Sequence, residues 1–262
     1  EHGWLLSPRM LGGEVARLES RCEQLAGAEE QPTKQTVAKE LGDYLVFTAF
    51  HPGYRAYYVW LAMQQQCVSP LSHQLERAVY HYLHRDYLST VHLLLPFIDG
   101  MLRTHFRAHN PTATGPLHYG PLRQFVRTQR AVQAYPNRHD MYRNALADFL
   151  DNWLFANVDP NVAHANFEVS YLNRHYAAHG LGSGCYYRPA DCHRLFLFID
   201  LYMEMLTLET GIGMHLFIPD HEPQVNRRIE YYQAHACADH ASEDRLFVES
   251  REACELAAWR PT

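Results

Sequence analysis

The sequence predicts an all-α protein, a helical bundle with further helices at both ends. Three observations predict it. Apolar residues recur at steps of three and four along most of the chain. Proline and glycine pairs cut that pattern into pieces of helix length. Only one short stretch, 215–218, has strand character. With 262 residues, 47% apolar and 13% aromatic, the chain can bury a real core.

The first helix is expected at 13–26, where Val15, Leu18, Cys22 and Leu25 keep helical spacing. Pro32-Thr33 breaks the chain before a second helix at 34–48. His51-Pro52-Gly53 is a turn signal, and an aromatic-rich helix follows at 54–66. Its Tyr54, Tyr57, Tyr58 and Trp60 suit core packing better than stacking on bases. Ser69-Pro70 separates it from a helix at 71–84. The clearest helix is 86–108, where Tyr87, Val91, Leu94, Leu95, Ile98, Met101, Leu102 and His105 form one stripe. Pro96 lies inside it and should bend it.

Asn110-Pro111 and Gly115-Pro116 mark a loop. Helices are then expected at 120–134 and 140–156, parted by Tyr135-Pro136-Asn137. After Asp159-Pro160, a helix at 161–178 ends against Gly180-Leu181-Gly182-Ser183-Gly184, a suitable terminator. Pro189 fits the first turn of a helix at 189–209 that is apolar over more than one face and therefore central. Two more helices are expected at 223–237 and 243–258. These breaks divide the chain into an N-terminal helical region (1–70), a central bundle (71–212) and a C-terminal helical tail (213–262).

The net charge of −6 argues against a generic polyanion binder. Its distribution is uneven, however. Between Arg103 and Arg143 there are seven arginines and one acid, Asp140. Such a stretch is either a phosphate-facing surface or a solvated face. The six cysteines, at 22, 67, 185, 192, 237 and 254, form no CxxC pair and read as reduced thiols of a cytoplasmic protein. No apolar run is long enough to span a membrane. His235, Cys237 and His240, even with His221 or Cys254, fit no standard zinc spacing. No metal or cofactor is expected.

The residues that carry chemistry are Arg174 and His179. RNA cleaves when its 2′-hydroxyl attacks the adjacent phosphorus. A protein can assist with a base, a cation for the phosphorane, and a proton donor for the leaving 5′-oxygen. Imidazole suits the first and third roles. The planar guanidinium suits the second. Residues five apart on a regular helix point about 140° apart. The pair therefore converges only where the helix ends near residue 178, or where a twofold dimer brings two pairs into one cleft.

The segment Asn173-Arg174-His175-Tyr176-Ala177-Ala178-His179-Gly180 resembles the Arg-x4-His signature of the HEPN (higher eukaryotes and prokaryotes nucleotide-binding) superfamily. Upstream, Leu94-Leu95-Pro96-Phe97-Ile98-Asp99-Gly100-Met101-Leu102-Arg103 is similar to that group's first core helix. Downstream, Arg194-Leu195-Phe196-Leu197-Phe198-Ile199-Asp200 is similar to its last. The resemblance covers roughly 78–210. It implies an up-and-down bundle that dimerises. It also implies metal-independent cleavage of single-stranded RNA to a 2′,3′-cyclic phosphate, in toxin–antitoxin or antiphage defence, with a possible antitoxin or other defence partner.

On this reading Arg174 and His179 are catalytic, and Asn173, His175, Asp99 and Arg103 support them. Arg123, Arg127 and Arg130 guide the RNA. The family often carries a glutamate where this chain has Asp99, which can instead pair with Arg103 one turn on. Two alternatives stand beside this one: a non-catalytic HEPN-like module that binds RNA or a nucleotide or dimerises, and a helical scaffold whose arginines meet no ligand.

Overall fold

A computed structural model describes residues 51–129, 135–156, 189–212 and 225–235, with short pieces at 5–6, 8, 16–20, 23, 133 and 237. Among the described residues the structure is helical and holds no strand, so the class is all-α. The expected helices at 34–48, 161–178 and 243–258, and the strand candidate 215–218, lie outside the described residues. No described helix is long and apolar enough to cross a membrane.

Helix α1 (Pro52–Gln64) starts two residues before the expected 54, taking Pro52 and Gly53 of the expected turn into its first turn. Pro52 occupies the first turn, and the His51 imidazole accepts from the Gly53 amide at 3.2 Å. A 3-10 turn (Ser69–Leu71) leads into α2 (Ser72–Leu83). A short turn with Arg85 at positive φ reverses the chain into α3 (Tyr87–His109). The Asp86 carboxylate caps α3 by accepting from the Ser89 amide at 3.1 Å. The helix runs on through Pro96. Gly100 lets α3 pass close to the 3-10 turn: a Cβ there would lie 2.8 Å from Leu71 Cδ1.

Helix α4 (Tyr119–Thr128) is shorter than its pattern predicts. Gln129 leaves helical conformation, its side chain is buried against His105, and its carbonyl accepts from Arg143 at 2.9 Å. These tertiary bonds replace the next intrahelical one. Helix α5 (Pro136–Phe149) begins earlier than expected, because Pro136 suits the first turn. It continues as a π-helical turn (Leu150–Leu154) closed by Phe155 N–H to Leu150 O at 2.8 Å.

Helix α6 (Pro189–Thr210) is buried at every position from Asp191 to Leu208, as an all-round apolar segment should be. Against it pack α1, α3 and α5. A last helix, α7 (225–235), docks on α2. There Arg227 Nε donates to Glu76 at 2.6 Å, the Tyr80 hydroxyl donates to Glu230 at 2.7 Å, and Tyr231 is fully buried. One apolar cluster takes in Tyr57, Tyr58 and Leu61 of α1, Phe97 and Ile98 of α3, Phe196 and Phe198 of α6, and Tyr231 of α7. The core thus runs continuously across Ser69-Pro70. Tyr57 and Tyr58 are spent on it, while Tyr54 and Trp60 lean on its edge.

Candidate functional site

The two outer segments of the HEPN-like pattern become α3 and α6, neighbours in one core. The segment between them, with Asn173, Arg174, His175 and His179, lies outside the described residues, as does Arg130. The remaining expected site residues can be placed.

Asp99 and Arg103 pair with each other. Arg103 Nε donates to Asp99 Oδ2 at 2.8 Å across one helical turn, and Arg103 Nη1 donates to the Leu117 carbonyl at 2.5 Å. The Arg103 guanidinium also lies 5.7 Å from the centre of the Tyr119 ring. The pair therefore fixes the 110–118 loop onto α3. The one-turn spacing available in the sequence is the geometry the fold uses.

Arg123 and Arg127 lie one turn apart on α4 and face Asp151 of the π turn. Arg127 Nη2 donates to Asp151 Oδ2, and Arg123 Nη1 stands 3.5 Å from Asp151 Oδ1. Together with Gly120 and Gln124 they line an open, polar hollow. Elsewhere in the arginine-rich stretch, Arg143 pairs with Asp140 at 3.0 Å and Arg138 donates to the Tyr142 hydroxyl at 2.7 Å. Much of the excess positive charge is thus met locally. Two of the acids that meet it, Asp99 and Asp151, fall just outside the window over which the excess was counted.

A second group of polar side chains escaped the sequence reading. His105 and His109 occupy the last two turns of α3, His139 the first turn of α5, and Glu209 the end of α6. Glu209 Oε2 is 3.1 Å from His105 Nε2, and Glu209 Oε1 is 3.1 Å from His139 Nε2. The other nitrogen of His105 meets the Tyr202 hydroxyl at 2.6 Å. Burial alone would raise the Glu209 pKa, but the hydrogen bonds and charge of His105 and His139 overcome it and hold the carboxyl at about 2. His105 and His139 are buried, Glu209 is half-buried and His109 is exposed. The only signal in sequence was the four-residue step from His105 to His109. The rest of the cluster is assembled from positions far apart in the chain.

Among the described residues, Cys67 and Cys192 are poor nucleophiles. Cys192 is buried, with its Sγ 3.6 Å from the Tyr87 carbonyl, and burial pushes its pKa well up. Burial, helped by the Glu209 charge, lifts Cys67 to about 11. None of Cys67, Cys192 and Cys237 is in a disulfide.

Set against known proteins, this chain matches no family model, no curated protein and no solved structure.

Proposed function

We propose that the chain is a metal-independent endoribonuclease of the HEPN type. It cleaves single-stranded RNA as a homodimer, leaves a 2′,3′-cyclic phosphate, and serves toxin–antitoxin or antiphage defence. The observation that carries this reading is the order of three segments: the α3 pattern at 94–103, the Asn173–Gly180 motif, and the α6 pattern at 194–200. Its support from the fold is that the two flanking segments are long helices sharing one core.

In this reading Arg174 neutralises charge on the phosphorane, and His179 moves a proton at the 2′- or 5′-oxygen. Asn173 and His175 shape the cleft, and Arg123 and Arg127 offer phosphate contacts beside Asp151.

The test is cleavage of a labelled single-stranded RNA in EDTA. Wild-type protein should cut it and leave a cyclic phosphate end. Arg174→Ala and His179→Ala should each lower the rate by about 10²–10⁴-fold with the helical content unchanged. Binding without cleavage would instead favour the non-catalytic RNA-binding module.

A further inference from the structure

We propose that His105, His109 and Glu209 form a binding site for one divalent transition-metal ion of the zinc type, which ties the end of α3 to the end of α6. The site uses no residue of the Arg174–His179 motif.

The donor spacing carries the argument. One ligand atom from each of His105, His109 and Glu209 lies within 4.8 Å of the other two. One donor separation, His105 Nε2 to Glu209 Oε2, is 3.1 Å, and His139 holds the other carboxylate oxygen, Oε1, at 3.1 Å from its Nε2. A tetrahedral zinc ion with bonds of about 2.0–2.1 Å needs donors about 3.3–3.4 Å apart. The His105 imidazole and the Glu209 carboxylate therefore stand within a few tenths of an ångström of ligand spacing, with a His109 ring nitrogen within 4.8 Å of both. An ion would replace the hydrogen bond between His105 and Glu209.

The surroundings suit ligation as well. A metal-bound imidazole is usually held through its other nitrogen. His105 has that hold, with Nδ1 against the Tyr202 hydroxyl at 2.6 Å. His109 has it too: Nδ1 meets the His105 carbonyl at 3.2 Å, which makes Nε2 the unprotonated nitrogen. Beside the cluster, the Gln129 amide nitrogen sits 3.3 Å from His105 Nε2, while the buried Gln129 Oε1 has no hydrogen-bond partner. Turned over, that amide would aim its oxygen at the site.

Chemistry narrows the ion. Two imidazoles and one carboxylate, with water as a further ligand, suit zinc and its late-transition neighbours, whereas magnesium and calcium take oxygen ligands. One carboxylate leaves a bound dication with a single positive charge. Exposed His109 and half-buried Glu209 give the ion an entry path. Glu209 lies 18 positions beyond Asp191, about 27 Å along α6. The ion would thus lock the end of the bundle remote from where the chain enters α6.

The experiment takes the full chain, stripped with a chelator and dialysed, and titrates it with zinc chloride by calorimetry while following the melting temperature. The proposal expects one zinc per chain and a raised melting temperature. Cobalt(II) in place of zinc should give the visible absorption of a tetrahedral site. His109→Ala removes an exposed ligand, so the protein should fold as before and bind zinc about 10–100-fold more weakly. Glu209→Gln keeps the side-chain shape and should weaken binding similarly, while His73→Ala, on the exposed side of α2, should leave it unchanged.

Two results overturn the proposal. One is a stripped wild-type chain that takes up no zinc at micromolar concentration. The other is folded His109→Ala and Glu209→Gln proteins that bind zinc as the wild type does. RNA cleavage in EDTA is scored separately and decides nothing about this site.

Discussion

The Arg55 guanidinium donates to the Asp200 carboxylate in the middle of the core, across 145 positions of sequence. Both side chains are almost wholly buried, at 3% and 1% exposure. The Arg55 carbon Cζ lies 4.9 Å from the centre of the Phe196 ring and 5.4 Å from that of Tyr58. Nearby, the Tyr58 hydroxyl donates to Glu204 at 3.2 Å. The ion pair therefore joins α1 to α6 through an aromatic shell that excludes water. It also joins the region before Ser69-Pro70 to the region after it.

Breaking this pair on one side should be costly. Arg55→Met takes the Arg55 partner from the buried Asp200 carboxylate, and removing one side of a buried ion pair costs about 3–5 kcal/mol. Replacing both partners, as in Arg55→Met with Asp200→Leu, should recover most of that loss, because desolvating the two charges opposes folding as much as their attraction favours it. Urea denaturation of the single and double variants checks this. A double variant as unstable as the single would show that the pair itself, and not charge burial, holds α1 in place.

His193 should make stability sensitive to acid. Its Nε2 meets the Tyr82 hydroxyl at 2.7 Å inside the core. Burial first, and then the Arg55 charge, lower its pKa to about 3. Below the ordinary value of 6.5 the unfolded chain takes up a proton that the folded chain refuses. This residue therefore removes stability as pH falls from about 6.5 towards about 3, by at most about 1.4 kcal/mol per pH unit. His193→Gln should be less stable at neutral pH but have a flatter acid limb. Denaturation midpoints at pH 7, 6 and 5 for both proteins give the difference. Parallel curves would mean that His193 is charged when folded.

The parts of this fold legible in sequence are those that rest on apolar periodicity and turn residues. The stripe of α3, the all-round apolar α6 and the start at Pro189 follow directly from them. The early end of α4 does not, because Gln129 leaves the helix for tertiary partners. Buried charges are equally hidden: nothing local to Arg55, His193 or Asp200 says that each meets a partner from another helix. The His105–His139–Glu209 cluster depends on three remote positions and is invisible until they are assembled. For the Arg174 motif the sequence supplies residue types and order, and its geometry lies outside the described residues.

Asp151 should restrain RNA binding if the α4 face belongs to the RNA path. It holds both Arg123 and Arg127, so a phosphate must compete with a carboxylate already in place. Asp151→Asn should bind single-stranded RNA more tightly. The slope of log affinity against log salt should steepen by about 0.7 for each phosphate gained. Arg123→Ala and Arg127→Ala should do the reverse. Binding measured at several salt concentrations, with Arg174→Ala present to prevent cleavage, tests this. Unchanged slopes in all three variants would take this face out of the RNA path.

On the proposed HEPN reading, Asp99 occupies a position where the family often has a longer acid, and the fold pairs its Oδ2 with Arg103. That pair is mostly shielded from solvent, with Asp99 at 15% and Arg103 at 25% exposure, and Arg103 is held independently by the Leu117 carbonyl. Asp99→Ala should therefore cost about 0.5–1 kcal/mol of stability, a drop of a few degrees in melting temperature. If Asp99 acts only by holding Arg103, its loss should leave RNA cleavage within about 10-fold of wild type, under ~1.4 kcal/mol of barrier. Arg174→Ala should lose far more. Melting curves and single-turnover cleavage on the same preparations separate the two outcomes. A loss as deep as that of Arg174→Ala, with the melting temperature little changed, would mean that Asp99 positions the reacting groups and does more than anchor the 110–118 loop.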